Sequence, residues 1–447
     1  MRVAHPPTPP SRPPHPPRRA HAPRKPAPAS SGKPRPERPP ASSRSIGNTP
    51  LEIFCVCAPG LEPLLAQEIA ALDLHGVSQP GGVVVRGGAR ELLLLNLWLR
   101  TAGRVLVRLG SFTAKSFPEL VQRASLLPFE RVLRPGQPVA LKATCRKSRL
   151  YHSGGVVERV HAALEARLGA KCALLRASAD DEEPPGEELA REAGQDGARD
   201  AAAPASAPQL LLVRFENDVC TVSADASGAL LHRRGYRTQL SRAPLRETLA
   251  AALLLAAGYR GGPLLDPCCG GGTIPIEAAL IALGRAPGLQ RAFACEAWAG
   301  FPAGLSQLLR AQARASERAP ETLAAGDLEG SDLDPSAIAA AQANVQSAGL
   351  SSAITFRVRP LASVRAADLH PGTLLASNPP YGKRVGAPGP ELVALWSHLG
   401  ALARAQRGPA ALLCPSNELA RIAGAPLHAG LRTQNGGLPV SFLLSRT

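Results

Sequence analysis

Between Leu264 and Thr273 the chain reads Leu-Leu-Asp-Pro-Cys-Cys-Gly-Gly-Gly-Thr. An apolar run that ends in a carboxylate and enters three glycines is the strand-to-helix turn of a parallel α/β sheet. In such sheets ligands gather at the carboxyl ends of the strands. The glycines let the backbone approach a ligand and open the next helix, Ile274–Leu283. Asp266 suits the ammonium side of a nucleoside that bears an amino acid. Amide donors around Cys268, Gly270, Gly272 and Thr273 suit its carboxylate. A phosphate loop needs Lys and then Ser or Thr after the last glycine, but Ile274 follows Thr273 here, and the dinucleotide pattern G-x-G-x-x-G is absent.

From Ser241 onward, helical and strand-like segments alternate, as in a doubly wound sheet. Asp327–Asp332 reads as the next strand after a long connection over residues 285–326. It ends in Gly330-Ser331-Asp332-Leu333-Asp334-Pro335. Asp332, with Leu333 beside it, is placed to hold both hydroxyls of a ribose. Asp334 before Pro335 reads as a helix N-cap. Strands follow at Ile354–Val358, Thr373–Ser377 and Ala410–Cys414, with a helix at Glu391–Gln406 and a final hairpin through Asn435-Gly436-Gly437. The strand ending at Ser377 delivers Asn378-Pro379-Pro380-Tyr381-Gly382. An exocyclic amine is a poor nucleophile because its lone pair is delocalised into the ring. Two acceptors on its hydrogens, the Asn378 side-chain oxygen and the Pro379 carbonyl, turn that lone pair outward. Pro379 and Pro380 fix the backbone, and Tyr381 offers a ring on which a base can stack.

The first 228 residues differ in character. Residues 1–50 hold sixteen prolines and ten basic residues against one acid, and read as a disordered tail of salt-sensitive, non-specific affinity. Residues 51–228 read as a mixed α+β region, interrupted at 179–208 by an acidic Ala/Pro-rich insertion. Outside that insertion, residues 51–178 carry seventeen basic and nine acidic side chains, a balance suited to nucleic acid. Arg100, Arg104, Arg146, Lys147 and Arg149 are the foremost phosphate-contact candidates, with Arg108, Lys115 and Arg123 behind them. Nine cysteines, odd in number and without a C-x-x-C pair, argue for reduced thiols in a cytoplasmic protein and against a zinc or iron–sulfur site. No apolar run is long enough for a membrane span, and no apolar segment follows the basic start as in a signal peptide.

A parallel sheet closed by an antiparallel hairpin matches the Rossmann-like class I methyltransferase fold. The three motifs, with Arg285-Ala286-Pro287-Gly288, Arg234-Gly235-Tyr236-Arg237, Ala243–Leu249 and Asn96–Val105, resemble the THUMP-domain RNA guanine-N2 methyltransferases over residues 52–447. The bacterial enzymes acting on large-subunit ribosomal RNA are the nearest in pattern. The resemblance implies a ferredoxin-like plus THUMP RNA-binding region at 51–228 and a methyltransferase domain at 229–447. It further implies S-adenosylmethionine as cofactor, no metal, and the N2 amine of an extruded guanine as acceptor. Some members fuse a second methyltransferase domain C-terminally, which these 447 residues leave no room for. Two departures stand out. Gly271 replaces the family's usual small polar residue, and Pro360 stands where the third strand usually ends in an acid, with Asp368 too far along to substitute.

Other expectations accompany this reading. A tRNA guanine is an alternative substrate, and an RNA-binding assembly factor with a vestigial cofactor site is the non-enzymatic alternative, motivated by Pro360. Cys268 and Cys269 invite a covalent mechanism, but methylating an amine needs no enzyme–base adduct. Glu296 and Trp298 are candidates for the target pocket, with a packed tryptophan as the simpler account of Trp298.

Overall fold

The computed structural model describes residues 50–175, 208–239, 244–324, 326–382, 389–424 and 426–445. The basic tail to residue 49 and the acidic insertion to residue 207 lie outside them. Among the described residues no helix is long and apolar enough to cross a membrane.

The first half is built on one eight-stranded sheet. Its elements in chain order are β1 (Leu51–Cys57), α1 (Glu62–Ala70), β2 (Gly76–Gln79), β3 (Gly82–Gly87), α2 (Ala89–Trp98), β4 (Ala102–Thr113), α3 (Phe117–Ala124), β5 (Val139–Arg146), α4 (Ser153–Leu168), β6 (Leu174–Leu175), β7 (Gln209–Glu216) and β8 (Val219–Asp225). The strand order is β2-β3-β1-β4-β8-β7-β5-β6. The long β4 joins the two parts of this sheet. Its first residues pair with β1, its later ones with β8, and the register shifts between Arg108 and Gly110.

The second half holds α5 (Glu247–Ala256), β9 (Leu264–Asp266), α6 (Thr273–Ala282), α7 (Leu305–Ser316), β10 (Leu328–Asp332), α8 (Pro335–Ser347), β11 (Ile354–Val358), β12 (Leu374–Ser377), α9 (Pro390–Ala405), β13 (Ala410–Cys414), α10 (Asn417–Ala423), β14 (Leu427–Asn435) and β15 (Leu438–Ser445). These strands form a seven-stranded sheet in the order β11-β10-β9-β12-β13-β15-β14. The first five are parallel, and β15 runs antiparallel to β13 and pairs with β14. Helices on both faces bury β9, β12 and β13 completely, which is why those strands read as unbroken apolar runs. Asp334 caps α8, its carboxylate accepting from the Ser336 amide at 2.8 Å.

The two halves meet across a polar seam. Arg100 donates from Nη2 to the carbonyl of Arg285 at 2.7 Å and to that of Leu280 at 3.3 Å. Arg234 returns a bond to the Arg100 carbonyl at 2.6 Å and faces the Glu277 carboxylate at 3.6 Å, which also accepts from the Tyr236 hydroxyl. The Gly288 amide donates to the Leu97 carbonyl. A Cβ at Gly288 would come within 2.8 Å of the Asn96 carbonyl oxygen, so only glycine permits this approach. Four segments singled out in the sequence, 96–105, 234–237, 285–288 and the start of α6, are therefore the facing sides of one interface.

This seam corrects two sequence expectations. Arg100 and Arg104 are buried, not phosphate-facing. Arg104 is ion-paired with Asp225 and donates to the Gly228 carbonyl at 3.0 Å. Glu296 and Trp298 likewise have structural partners, Trp298 across the seam and Glu296 within the second half. Glu296 pairs with Arg310 at 3.0 Å, and buried Trp298 donates from Nε1 to Gln209 at 2.7 Å.

Candidate active site

β10, β9 and β12 are adjacent and parallel, so their carboxyl ends share one edge of the sheet. The chain order puts β10 and β11 on one side of β9 and β12 and β13 on the other, which makes this edge the topological switch point. Asp332, Asp266 and Asn378 arrive there from three separate strands, as their positions in sequence predict.

Asp266 is buried, and its Oδ1 accepts from the Ser377 hydroxyl at 2.6 Å and the Cys268 amide at 3.1 Å. Burial pushes its carboxyl up to about 7 and repulsion from Asp332 adds to this, while the two hydrogen bonds pull the other way. Asp332 organises the glycine turn. Its Oδ2 accepts from the Gly270 amide at 2.9 Å and its Oδ1 from the Asp334 amide at 3.0 Å. Gly272 has φ +80°, and a Cβ there would lie 2.8 Å from the Phe356 ring. Thr273 opens α6 and accepts from Arg237 at 3.0 Å. Leu333 leaves its side chain 71% exposed beside Asp332, and Val358, its neighbour at the end of β11, is 52% exposed. Burial, followed by the Asp266 and Asp332 carboxylates, pushes the Cys268 and Cys269 thiols far up, which removes the thiolate a covalent mechanism would need.

Among the described residues no acid stands at the end of β11. The Arg359 amide donates to the Asp332 carbonyl, Pro360 follows, and Asp368 is held at the surface by Arg365 at 3.0 and 3.1 Å. No group of three or more His, Cys, Asp or Glu side chains among the described residues could hold a metal ion.

The Asn-Pro-Pro-Tyr segment carries a hydrogen-bond chain that its sequence did not disclose. The Tyr381 hydroxyl donates to Asn378 Oδ1 at 2.7 Å and accepts from Asn435 Nδ2, at the end of β14, at 3.1 Å. Burial raises the Tyr381 hydroxyl to about 12, so it keeps the proton it donates. Trp396 fixes the Pro380 carbonyl at 3.2 Å, and among the described residues the Pro379 carbonyl receives no hydrogen bond. Asn378 Oδ1 has a second lone pair for an incoming N–H. Tyr381 thus contributes its hydroxyl as well as its ring. Asn435, Ser377 and Val358 are the site residues that sequence reasoning missed. Asn435 was read only as a turn residue, and β15 brings it back across the sheet.

Arg146, Lys147 and Arg149 lie elsewhere, at the end of β5 and in the turn after it, exposed beside Tyr151, itself 70% exposed. The Arg149 amide donates to Asp218, which shapes that turn.

Comparison with known proteins agrees with the fold. Residues 234–421 match the UPF0020 family, described as an RMKL-like methyltransferase domain, and residues 52–106 match the RlmL ferredoxin-like domain. The chain is 33% identical over 412 residues to the ribosomal RNA large subunit methyltransferase K/L of Syntrophotalea carbinolica. That alignment covers 89% of this chain and 53% of the relative, so the chain spans about half the relative's length. Among solved structures, SMU.472, a putative methyltransferase complexed with SAH, superposes with a TM-score of 0.75 at 25% identity, covering 89% of this chain and 98% of that one. A predicted N6-adenine-specific DNA methylase from Listeria monocytogenes gives 0.73 at 28%, covering 89% and 96%. The second half thus carries the match to an RMKL-like methyltransferase domain and the start of the first half the match to an RlmL-type ferredoxin-like domain.

Proposed function

We propose that this chain methylates the exocyclic N2 amine of a guanine in large-subunit ribosomal RNA, using S-adenosylmethionine, in the cytoplasm where its nine free cysteines stay reduced. One observation carries the reading. An amine-orienting acceptor, Asn378, is braced through Tyr381 by Asn435 and stands on the same sheet edge as two carboxylates and a glycine turn.

The residues at that edge fit the cofactor. The backbone at Gly270 and Gly272 allows close approach, Asp266 is a buried carboxyl for an ammonium, and Asp332 is an acceptor for ribose hydroxyls. Leu333 and Val358 offer apolar side chains on which an adenine ring can lie, and this supports binding despite Pro360. Replacing the absent acceptor by water weakens cofactor binding by about 1 kcal/mol. When bound, S-adenosylmethionine would supply an electrophilic methyl group; the C–S electron pair would leave with a neutral thioether, and the methylated nitrogen would release one proton to water.

The chain's own residues act on the amine. Asn378 Oδ1 and the Pro379 carbonyl accept its two hydrogens and hold the nitrogen lone pair out of conjugation, aimed at the methyl carbon. Tyr381 and Asn435 keep Asn378 from rotating. The related ribosomal RNA methyltransferase supports ribosomal RNA as the substrate class.

The test is transfer of labelled methyl groups to large-subunit ribosomal RNA, followed by digestion to nucleosides. N2-methylguanosine is expected, and N6-methyladenosine would overturn the assignment. Asn378→Ala should abolish transfer while leaving affinity for S-adenosylhomocysteine within about threefold. Full methylation by that variant would refute the role of Asn378.

A further inference from the structure

A second cleft, lined by both polar and apolar residues, opens next to the Asn435 end of the hydrogen-bond chain. Its walls come from the turn after β1, the start of β4, the segment after β8, the start of α5, and the tip of the β14–β15 hairpin. Thr101, His232, Arg246, Thr248, Gln434 and Asn435 face it, and no carboxylate lines it among the described residues.

The cleft is electrostatically unbalanced. Arg234 has Glu277 opposite it and Arg237 has Glu247 at 3.0 Å, but the Arg246 side chain has no carboxylate or hydrogen-bond partner among the described residues. Its Nε is withdrawn from solvent and unsatisfied. His232 reports the same field. Burial first, then Arg246, Arg233, Arg237 and Arg234, hold its imidazole well below the usual range, so it stays neutral. A guanidinium N–H withdrawn from water with nothing to donate to is unfavourable, and an anion seated in the cleft completes it.

The position of the cleft indicates which anion. Asn435 sits on its rim, and two hydrogen bonds lead from Asn435 through Tyr381 to Asn378. Asn435 therefore belongs both to the rim of the cleft and to the hydrogen-bond chain that braces the amine acceptor. We propose that this cleft grips a phosphodiester of the RNA backbone flanking the nucleotide that is methylated, with Arg246 as its principal contact and Thr248 and Asn435 as neutral donors. The proposal rests on the RNA-methylation reading above. It also gives the docked seam a purpose, since the pocket is complete only when both halves contribute walls. The competing oxyanion is the carboxylate of the cofactor's amino-acid end.

The experiment compares wild type, Arg246→Gln and Arg246→Lys. Binding of a large-subunit ribosomal RNA transcript is measured over a range of KCl concentrations, and S-adenosylhomocysteine binding by calorimetry. Arg246→Gln should weaken RNA binding about tenfold and reduce the slope of log K against log salt by about 0.7 to 0.9. Cofactor-product affinity should stay within about twofold, and Arg246→Lys should restore most of the slope. An unchanged RNA slope overturns the proposal. So does a loss of S-adenosylhomocysteine affinity with RNA binding intact, which would assign the cleft to the cofactor's carboxylate. The slope is a binding readout, so it judges the cleft even if wild type transfers no methyl group, a result that would instead refute the function proposed above. Should Arg246→Gln unfold, methylphosphonate replacement of the phosphates flanking the modified guanine, tested on wild type, decides the matter. One position should weaken binding about tenfold, and indifference at every position overturns the proposal.

Discussion

Lowering the pH from 8 to 6 should weaken binding of S-adenosylhomocysteine about tenfold. The reason is Asp266, whose carboxyl burial and the nearby Asp332 raise to about 7 in the ligand-free protein. An ammonium group brought against it favours the ionised form and lowers that value again. Binding then requires the proton to leave. If the bound value falls below about 5, the apparent dissociation constant is raised by a factor of about 11 at pH 6 and about 1.1 at pH 8. Titration calorimetry in two buffers of different ionisation enthalpy measures both the affinity and the proton count, and close to one proton should be released per ligand at pH 6. Asp266→Asn should bind more weakly and without this pH dependence. The sign is opposite for folding of the ligand-free protein. A carboxyl raised above its unfolded value of about 3.9 contributes stability that is fully present below that pH and lost as pH rises through about 7. Cofactor product should therefore protect against melting more at pH 8 than at pH 6. A wild-type dissociation constant that is flat from pH 6 to 8, with no proton released, refutes the placement of the ammonium at Asp266.

Two further outcomes follow from the hydrogen bonds. Tyr381→Phe keeps the ring and removes the hydroxyl that braces Asn378; losing about 1.4 kcal/mol of positioning should lower kcat about tenfold with S-adenosylhomocysteine affinity unchanged, and single-turnover kinetics within twofold of wild type would show the bracing to be idle. Arg104→Ala strands the buried Asp225 carboxylate and should destabilise the fold by about 3 to 5 kcal/mol, read as a lower melting temperature that the added substitution Asp225→Ala partly restores.

The methyltransferase sheet was readable because its strands are buried on both faces and its site is delivered by strand ends. Ile354–Val358 and Ala410–Cys414 fall where the apolar runs and their flanking residues place them. Elements with little apolar signal were not read. Gly76–Gln79 is mostly exposed, and Leu174–Leu175 is only two residues long. The helix at Leu305–Ser316 lies inside what reads as a connection, although Leu309 and Ala313 keep a helical spacing toward the core. Its signal is short and surrounded by Arg, Gln and Ser. The final helix, Asn417–Ala423, was announced only by Ser416, whose hydroxyl accepts from the Leu419 amide. For the site, Asp266, Asp332 and Asn378 were legible because their chemistry is local to one strand end each. Asn435 was not, since its partner Tyr381 lies 54 residues earlier. Arg100 and Arg104 were misread for the same reason. A basic side chain beside apolar residues does not reveal a carboxylate partner 121 residues away, which is what keeps Arg104 inside.

The seam between the halves limits how the chain can be recombined. Residues 285–301 follow the glycine turn in sequence, yet Gly288 packs on α2, the Cys295 amide donates to the Ala226 carbonyl, and Trp298 reaches Gln209 on β7. A chimaera that takes residues up to 228 from one relative and the remainder from another would import the wrong counterpart for each of these contacts. Grafting residues 285–301 along with the N-terminal donor would keep the contacts matched. The exchangeable unit is thus discontinuous in sequence.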